Sequence, residues 1–466
     1  MSEARPSYDE LLALVQQQQR QIETLTAELA RLQAALDEAR RAGKRQAAPF
    51  RKGTPKPNPK RPGRKAGDQH GVHAHRSAPP PEQIHEVLEA PLPDACPSCG
   101  GVVVETDVGH QYQTEIPQEP LHRQFNVHRG HCRRCGRGLQ GRHPLQTSDA
   151  LGACASQIGP DAQAAVVTLN KEAGLSHGKI ARCLDTLFGI ELSRGASVQI
   201  VLRAADRLQP AYDEILQATR QAEQLSADET GWRIGGQPGW LHVWVSERST
   251  AYAVDRRRSA AVLEEGIGPD WEGVLVHDGF PSYDRFTEAL HQQCLAHVLR
   301  RARDMLETAT RGAGRFPRAV IELLTGAIHL RNEYGAGRVP ALVWEGARDR
   351  CETRLLRLLH GRREAVGNQR LAAHLRKHFA SWFTFLTDEA VPATNWPAEQ
   401  AIRPAVVNRK VWGGNRTETG ARAQGILSSV LQTCKQQAKV ALDFLSQTLR
   451  AFGNRFLPTP ILLPTR

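Results

Sequence analysis

The stretch from residue 224 to residue 279 constrains the fold more than any other part of the chain. Residues 230–234 read as a strand, residues 235–239 (GGQPG) as a turn, residues 240–245 as a second strand with period-two alternation, and residues 250–254 as a third. This pattern predicts a three-stranded meander. The helical segment SAAVLEEGI follows, and then Val274-Leu275-Val276, a short apolar run ending at His277-Asp278-Gly279. Such a run reads as a strand buried on both faces that delivers an acid at its carboxyl end. Another acid, Asp228 in SADETGW, accompanies the first strand.

A third carboxylate belongs to a helical pattern far along the chain. Glu399 lies in NWPAEQAIRPAVVNRK, 121 positions after Asp278, with Arg403 four residues on and Lys410 eleven on. All three share one helical face provided that the helix continues through Pro404. Such a face sets a metal-binding carboxylate beside cations able to hold phosphate oxygens. Phosphodiester chemistry with two divalent ions needs a few carboxylates converging from separate elements, the role expected of Asp228, Asp278 and Glu399. Oxygen ligands favour Mg2+, with Mn2+ as a substitute. Each acid taken alone also reads as a solvated side chain or a cap. Strand, strand, strand, helix, strand, with acids on the first and fourth strands, resembles the ribonuclease H arrangement, in which those two strands are neighbours.

At 466 residues the chain exceeds the roughly 250–300 at which one core stops growing, so several domains are expected. Hydrophobic residues make up 40%, no apolar run is long enough for a bilayer, and MSEARPSYDE lacks an apolar signal core. These features predict a cytoplasmic protein with no membrane partner. Nine cysteines argue for reduced thiols and metal ligation over disulfides. The net charge of +12 is local, because residues 40–76 hold twelve Lys or Arg against Asp68 alone and so carry +11 of it. Rich in proline, this stretch reads as an extended tether in which Arg51, Lys52, Arg61, Arg64 and Lys65 bind DNA phosphates by counterion release. A merely solvated linker fits the same composition.

Residues 8–40 carry a heptad pattern. Val15, Ile22, Leu29 and Leu36 at position a place Leu11, Gln18, Leu25 and Leu32 at d. β-branched residues at a with leucine at d favour a parallel two-stranded coiled coil, and Gln18 would fix its register. A homodimer is therefore expected, although a single amphipathic helix lying on its own protein fits the periodicity too. Cys96-Pro-Ser-Cys99 and Cys132-Arg-Arg-Cys135, each followed by a glycine, predict a four-cysteine structural Zn2+ site in a zinc ribbon. Arg123, His128, Arg129, Arg133, Arg134 and Arg137 suit such a ribbon to DNA, and a redox pair is the other reading of a lone CxxC.

Residues 160–222 turn helical, with a break near Gly189 and a cap at Ser193, the layout of a helix-turn-helix or of a hairpin packed for structural reasons. Cys294 and His297, three apart on an expected helix face, either shape the site, contact DNA or pack in the core; a second zinc site there would lack two partners. Residues 302–390 read as arginine-rich helices, with Arg301, Arg303, Arg311, Arg315 and Arg318 suited to flanking DNA. The expected class is multidomain α+β with a ribonuclease H-like α/β catalytic core interrupted by a helical insertion. Its order is a coiled coil (1–40), basic linker (41–82), zinc ribbon (83–145), helical DNA-binding domain (146–222), core (223–300), helical insertion (301–390), core again (391–435), and a C-terminal helix and tail (436–466).

Together these words resemble a DDE transposase of the insertion sequence 66 family. The resemblance rests on the basic proline stretch with PF at 49–50, the double CxxC, ADET at 227–230, HDG at 277–279, Cys294-Leu-Ala-His297 followed by Arg300 and Arg301, Asn395 through Lys410, and GGNRTETGARAQGILSSVLQTC. It implies DNA as partner, hydrolysis at the ends of an element, attack of the freed 3′-hydroxyl on a target strand, and small accessory proteins. It also implies Asp228, Asp278 and Glu399 as the catalytic triad. A DNA-binding regulator without catalysis and a host nuclease acting on RNA–DNA hybrids are the competing readings.

Overall fold

The computed structural model describes residues 8–43, 78–87, 99–102, 110, 119–149, 157–307, 309, 312–452 and 457–463. Arg51, Lys52, Arg61, Arg64, Lys65, Cys96 and Arg311 lie outside these. The chain divides into two units, residues 1–48 with 122–466, and residues 49–121. In the second, the described residues hold a 3-10 turn at Pro81–Gln83 and the exposed Cys99.

In the first unit, α1 (Tyr8–Gly43) is one helix of 36 residues, about 54 Å long at 1.5 Å per residue. Its seam is unburied within the chain: Val15, Ile22, Leu25, Leu29 and Leu32 are each more than half exposed. The side chains of Leu11 and Leu36 lie outside the described ones. β1 (Arg129–His131) and β2 (Gly138–Gln140) form a small antiparallel ribbon bracketing Cys132 and Cys135. Four helices follow, α2 (Pro160–Lys171), α3 (His177–Phe188), α4 (Arg194–Arg207) and α5 (Gln209–Arg220). Gly189 ends α3 in the left-handed region, and the Ser193 hydroxyl starts α4 by accepting the Ala196 N–H at 3.0 Å.

A five-stranded mixed sheet comes next, built from β3 (Gln224–Ile234), β4 (Gln237–Val245), β5 (Thr250–Asp255), β6 (Val274–His277) and β7 (Leu290–Gln293), in the order β5-β4-β3-β6-β7. The meander is antiparallel, whereas β6 runs parallel to both β3 and β7. β3 begins six residues earlier than its apolar pattern indicates, which puts Asp228 inside the strand. The expected five-residue turn shrinks to Gly235-Gly236, both at positive φ, the backbone that a two-residue hairpin demands. Helix α6 (Ala260–Ile267) connects β5 to β6.

Each face of the sheet has its own cover. Leu225, Ala227 and Leu275 pack with Trp244, Tyr283 and residues of α2, α4, α5, α13 (Glu418–Gln436) and α14 (Ala441–Ala451). Trp232 and Ile234, of opposite parity on β3, pack with Ala398, Ala401, Ile402 and Ala405 of α12 (Trp396–Trp412), which runs unbroken through Pro404. Between β7 and α12 the chain forms α7 (Leu295–Glu307), α8 (Arg315–Gly335), α9 (Ala341–Trp344), α10 (Ala347–His360) and α11 (Val366–Lys377). These helices bury a core of their own around Leu323, Leu355, Leu371, Trp382 and Phe385, joined to the sheet at Val276. Among the described residues no helix is long and apolar enough to cross a membrane.

Candidate functional site

The register of β3 against β6 brings the first two acids together. Gln224, Leu225 and Ser226 pair in parallel with Val274, Leu275 and Val276. Asp228, inside β3, and Asp278, the first residue after β6, each stand two residues beyond the Ser226–Val276 pair, where the two strands run about 4.8 Å apart, and the two-residue period fixes the face from which Asp228 leaves β3. That face is the one α12 covers, since Asp228 shares parity with Trp232 and Ile234. The carboxyl ends of parallel strands are where open α/β sheets present ligand sites.

Asn395, fully buried at the start of α12, fastens that helix to the same place. Its side-chain N–H donates to the Ala227 carbonyl at 2.7 Å, and its backbone N–H donates to Cys294 Sγ at 3.1 Å. Glu399 follows one turn later, its N–H donating to the Asn395 carbonyl at 3.0 Å. Asp228 feels the other two acids. Burial raises the pKa of half-buried Asp228 from 3.8 to about 7, with Glu229, Asp278 and Glu399 adding repulsion against the Glu229 N–H bond that opposes it. Arg403 and Lys410 are exposed farther along α12.

Asp278 is held by a tight turn. Its Oδ1 accepts the Phe280 N–H at 2.9 Å, and His277 Nδ1 accepts the Gly279 N–H at 3.1 Å. His277 Nε2 is then the donor to His291 Nδ1 at 2.9 Å, a neutral imidazole that burial keeps well below its usual pKa. Gly279 has φ +87°, and a Cβ there would lie 2.6 Å from Gln293 Oε1, so the turn tolerates nothing larger. His277 therefore braces the turn from within the core.

The sequence reading missed one part of this site. Glu229, whose side chain is 1% exposed, leaves β3 on the face opposite Asp228 and accepts from Arg258 Nε at 2.8 Å and Tyr283 Oη at 2.7 Å. Arg258 is stacked 3.5 Å from the Phe280 ring centroid and 4.5 Å from that of Trp240. Glu229 thus ties β3 to the turn carrying Asp278; the acidic pair in ADET was the available signal. Cys294 immediately precedes α7 rather than lying on its face, and one ligand atom each from Cys294, His297 and Glu399 fall within 4.8 Å of one another.

The Asp228 shift has a consequence for stability. A carboxyl whose folded pKa lies above its ordinary value binds more protons folded than unfolded, so its contribution is present below about pH 4 and is lost as pH rises toward 7. Asp228→Asn is expected to stabilise the metal-free protein at pH 8 by about 1–3 kcal/mol, allowing for partial solvent access, and to change little at pH 4. Thermal melts in chelator at the two pH values test this. An unchanged or lower melting temperature for Asp228→Asn at pH 8 would contradict the burial and repulsion assigned to this group.

Two further features carry charge or thiols. A cleft of about 860 Å³ opens between α2–α4 and the loop after α12, lined by Lys179, Arg182, Arg194 and Arg416. At its edge buried Lys171 donates to Gln424 Oε1 at 2.7 Å and lies 5.5 Å from the Trp412 ring centroid, with its pKa lowered by burial to about 7. α4 turns Ile200, Val201, Ala204 and Ala205 into the core and leaves Arg194, Gln199 and Arg203 exposed. In the ribbon, Gly136 sits at φ +73° after Cys135, and the N–H groups of Cys135 and then Arg134 hold the Cys132 thiol below its usual pKa.

Comparison with known proteins follows the same segment. Residues 155–423 match the Transposase IS66 family, a span from just ahead of α2 into α13 that includes the sheet and all three acids. Over 300 residues the chain is 26% identical to y4qI, an uncharacterized protein of Sinorhizobium fredii (strain NBRC 101917 / NGR234), covering 56% of this chain and 53% of the relative. The chain thus spans about half the length of that curated relative. With more than half of its own length matched, the chain belongs to the IS66 family of transposases.

Proposed function

We propose that the chain is a DDE transposase that cleaves DNA at the ends of an insertion sequence and transfers the freed strand to a target. The observation that carries this reading is the parallel pairing of β3 with β6, whose carboxyl end leads into Asp278, together with the repulsion that Asp278 and Glu399 exert on Asp228. The strand order, with β3 central and β6 beside it, supports a ribonuclease H-like core. A half-buried carboxylate raised to about 7 among two further acids is the donor set that a pair of Mg2+ or Mn2+ ions fits. Asp228, Asp278 and Glu399 would hold those ions, which supply an activated nucleophile and stabilise the leaving oxygen at phosphorus.

The chain's own residues do the rest. Glu229, Arg258 and Tyr283 fix the Asp278 turn against β3, so the two aspartates keep their spacing. Arg403 and Lys410, exposed beyond Glu399, are the cations assigned to DNA phosphates, and the cleft of Lys179, Arg182, Arg194 and Arg416 offers a second basic surface. The structural Zn2+ reading of the two CxxC pairs rests on their sequence spacing, and Gly100 and Gly136, each following its pair, are both at positive φ. The test is nicking of a duplex carrying the element's own end, which is expected to require Mg2+, to stop on chelation, and to fail when any of the three acids is replaced. Metal-independent nicking would overturn the reading.

The exposed seam of α1 supports a parallel homodimer, which suits an enzyme that holds two DNA ends. Light scattering should give twice the chain mass for the full chain and the single mass once residues 1–43 are removed. An equal assembly state for both forms would remove the coiled coil from this account.

A further inference from the structure

We propose that Cys294, His297 and Glu399 form a second metal site, selective for a borderline ion such as Zn2+, whose occupation withdraws Glu399 from the Mg2+ site and inhibits the enzyme. This inference rests on the catalytic reading of Glu399 above. Ligand atoms from the three residues lie within 4.8 Å of one another, with His297 Nε2 at 3.8 Å from Glu399 Oε1. Zinc bonds of about 2.0–2.3 Å place tetrahedral ligands somewhat under 4 Å apart, so a modest closure completes the set and leaves the fourth position open.

Two independent features favour an ion here. Cys294 Sγ accepts the Asn395 N–H at 3.1 Å and further N–H groups from Ala296 and His297, so the sulfur is held in place at the corner where α7 and α12 begin. His297 Nδ1 is buried without a hydrogen-bond partner among the described residues, a cost that an ion removes if it takes this nitrogen rather than Nε2. Thiolate and imidazole donors discriminate against Mg2+, which takes oxygen ligands. Binding displaces the Cys294 proton to solvent.

Co2+ titrated into the purified full chain tests the site, read by its thiolate-to-cobalt charge-transfer band. One band component is expected to vanish in Cys294→Ser, to need at least about tenfold more Co2+ in His297→Ala, and to persist in Asp228→Asn. Zn2+ added to Mg2+-dependent nicking should inhibit the wild type at concentrations at least about tenfold lower than His297→Ala, each relative to its own uninhibited rate. A band unchanged by both Cys294→Ser and His297→Ala overturns the proposal. Should Cys294→Ser fail to fold, His297→Ala carries the test alone. Absence of the component with Mg2+-dependent nicking intact sinks this inference only, whereas its presence in a protein that never nicks sinks the transposase chemistry and leaves the site standing.

Discussion

Alanine at Asp228, Asp278 or Glu399 is expected to lower Mg2+-dependent nicking of the element's end by about a thousandfold or more. In the proposed mechanism each carboxylate helps to hold an ion that would contribute several kcal/mol of charge stabilisation at the reacting phosphate, and about 4 kcal/mol corresponds to a factor of about a thousand. The electrostatics of the site make this separable from misfolding. Burial and the other acids already destabilise ionised Asp228, so removing it should leave the metal-free fold as stable as before or more so at pH 8. Binding to the same duplex, carried by exposed cations such as Arg403 and Lys410, should persist in all three variants. Single-turnover nicking alongside thermal melts and DNA binding provides the measurement. Nicking within tenfold of wild type in any one variant would remove that acid from the site, and full biological activity in all three would favour a DNA-binding regulator.

What could be read from the chain follows the reach of the signal. The apolar run of β6 ends on an acid, so the strand and the position of Asp278 at its carboxyl end were both legible. β7 was not, because it is LHQQ: Gln292 and Gln293 are buried, and the Gln292 amide hydrogen-bonds to Trp382 and Phe385 within the core instead of advertising it by apolarity. α13 was obscured by glycine and hydroxyl residues that ordinarily mark loops. In the fold these small side chains permit close approach: a Cβ on Gly425 would lie 2.9 Å from the Tyr252 carbonyl, and Ser429 Oγ accepts the Tyr252 N–H at 2.8 Å. The helix through Pro404 was left conditional by local propensity, and packing of Ala398, Ala401, Ile402 and Ala405 against β3 and β4 decides it. Glu399 beside Cys294 and His297 joins residues about a hundred positions apart, a convergence that no local pattern encodes.

Asn395 shows how a residue outside the triad can govern it. The side chain does not cap α12, although asparagine ahead of Trp-Pro is the usual signal for a cap. Instead its amide reaches across to Ala227, the neighbour of Asp228, while its backbone holds the Cys294 corner and begins the turn that bears Glu399. Asn395→Ala would leave the Ala227 carbonyl without this donor in a buried setting, at a cost of about 1–3 kcal/mol in stability. The larger effect falls on geometry, because a catalytic group misplaced by about 1 Å loses roughly a hundredfold in rate. Asn395→Ala is therefore expected to nick about a hundredfold more slowly at limiting Mg2+, to recover part of that rate at saturating Mg2+, and to bind DNA as the wild type does. Partial rescue by the ion distinguishes a residue that positions Glu399 from one that merely supports the core, since a packing defect would lower the melting temperature without shifting the Mg2+ requirement. A variant that nicks at the wild-type rate at low Mg2+ would show that α12 finds its place without this bond, and the helix face packed on β3 would then have to position Glu399 alone.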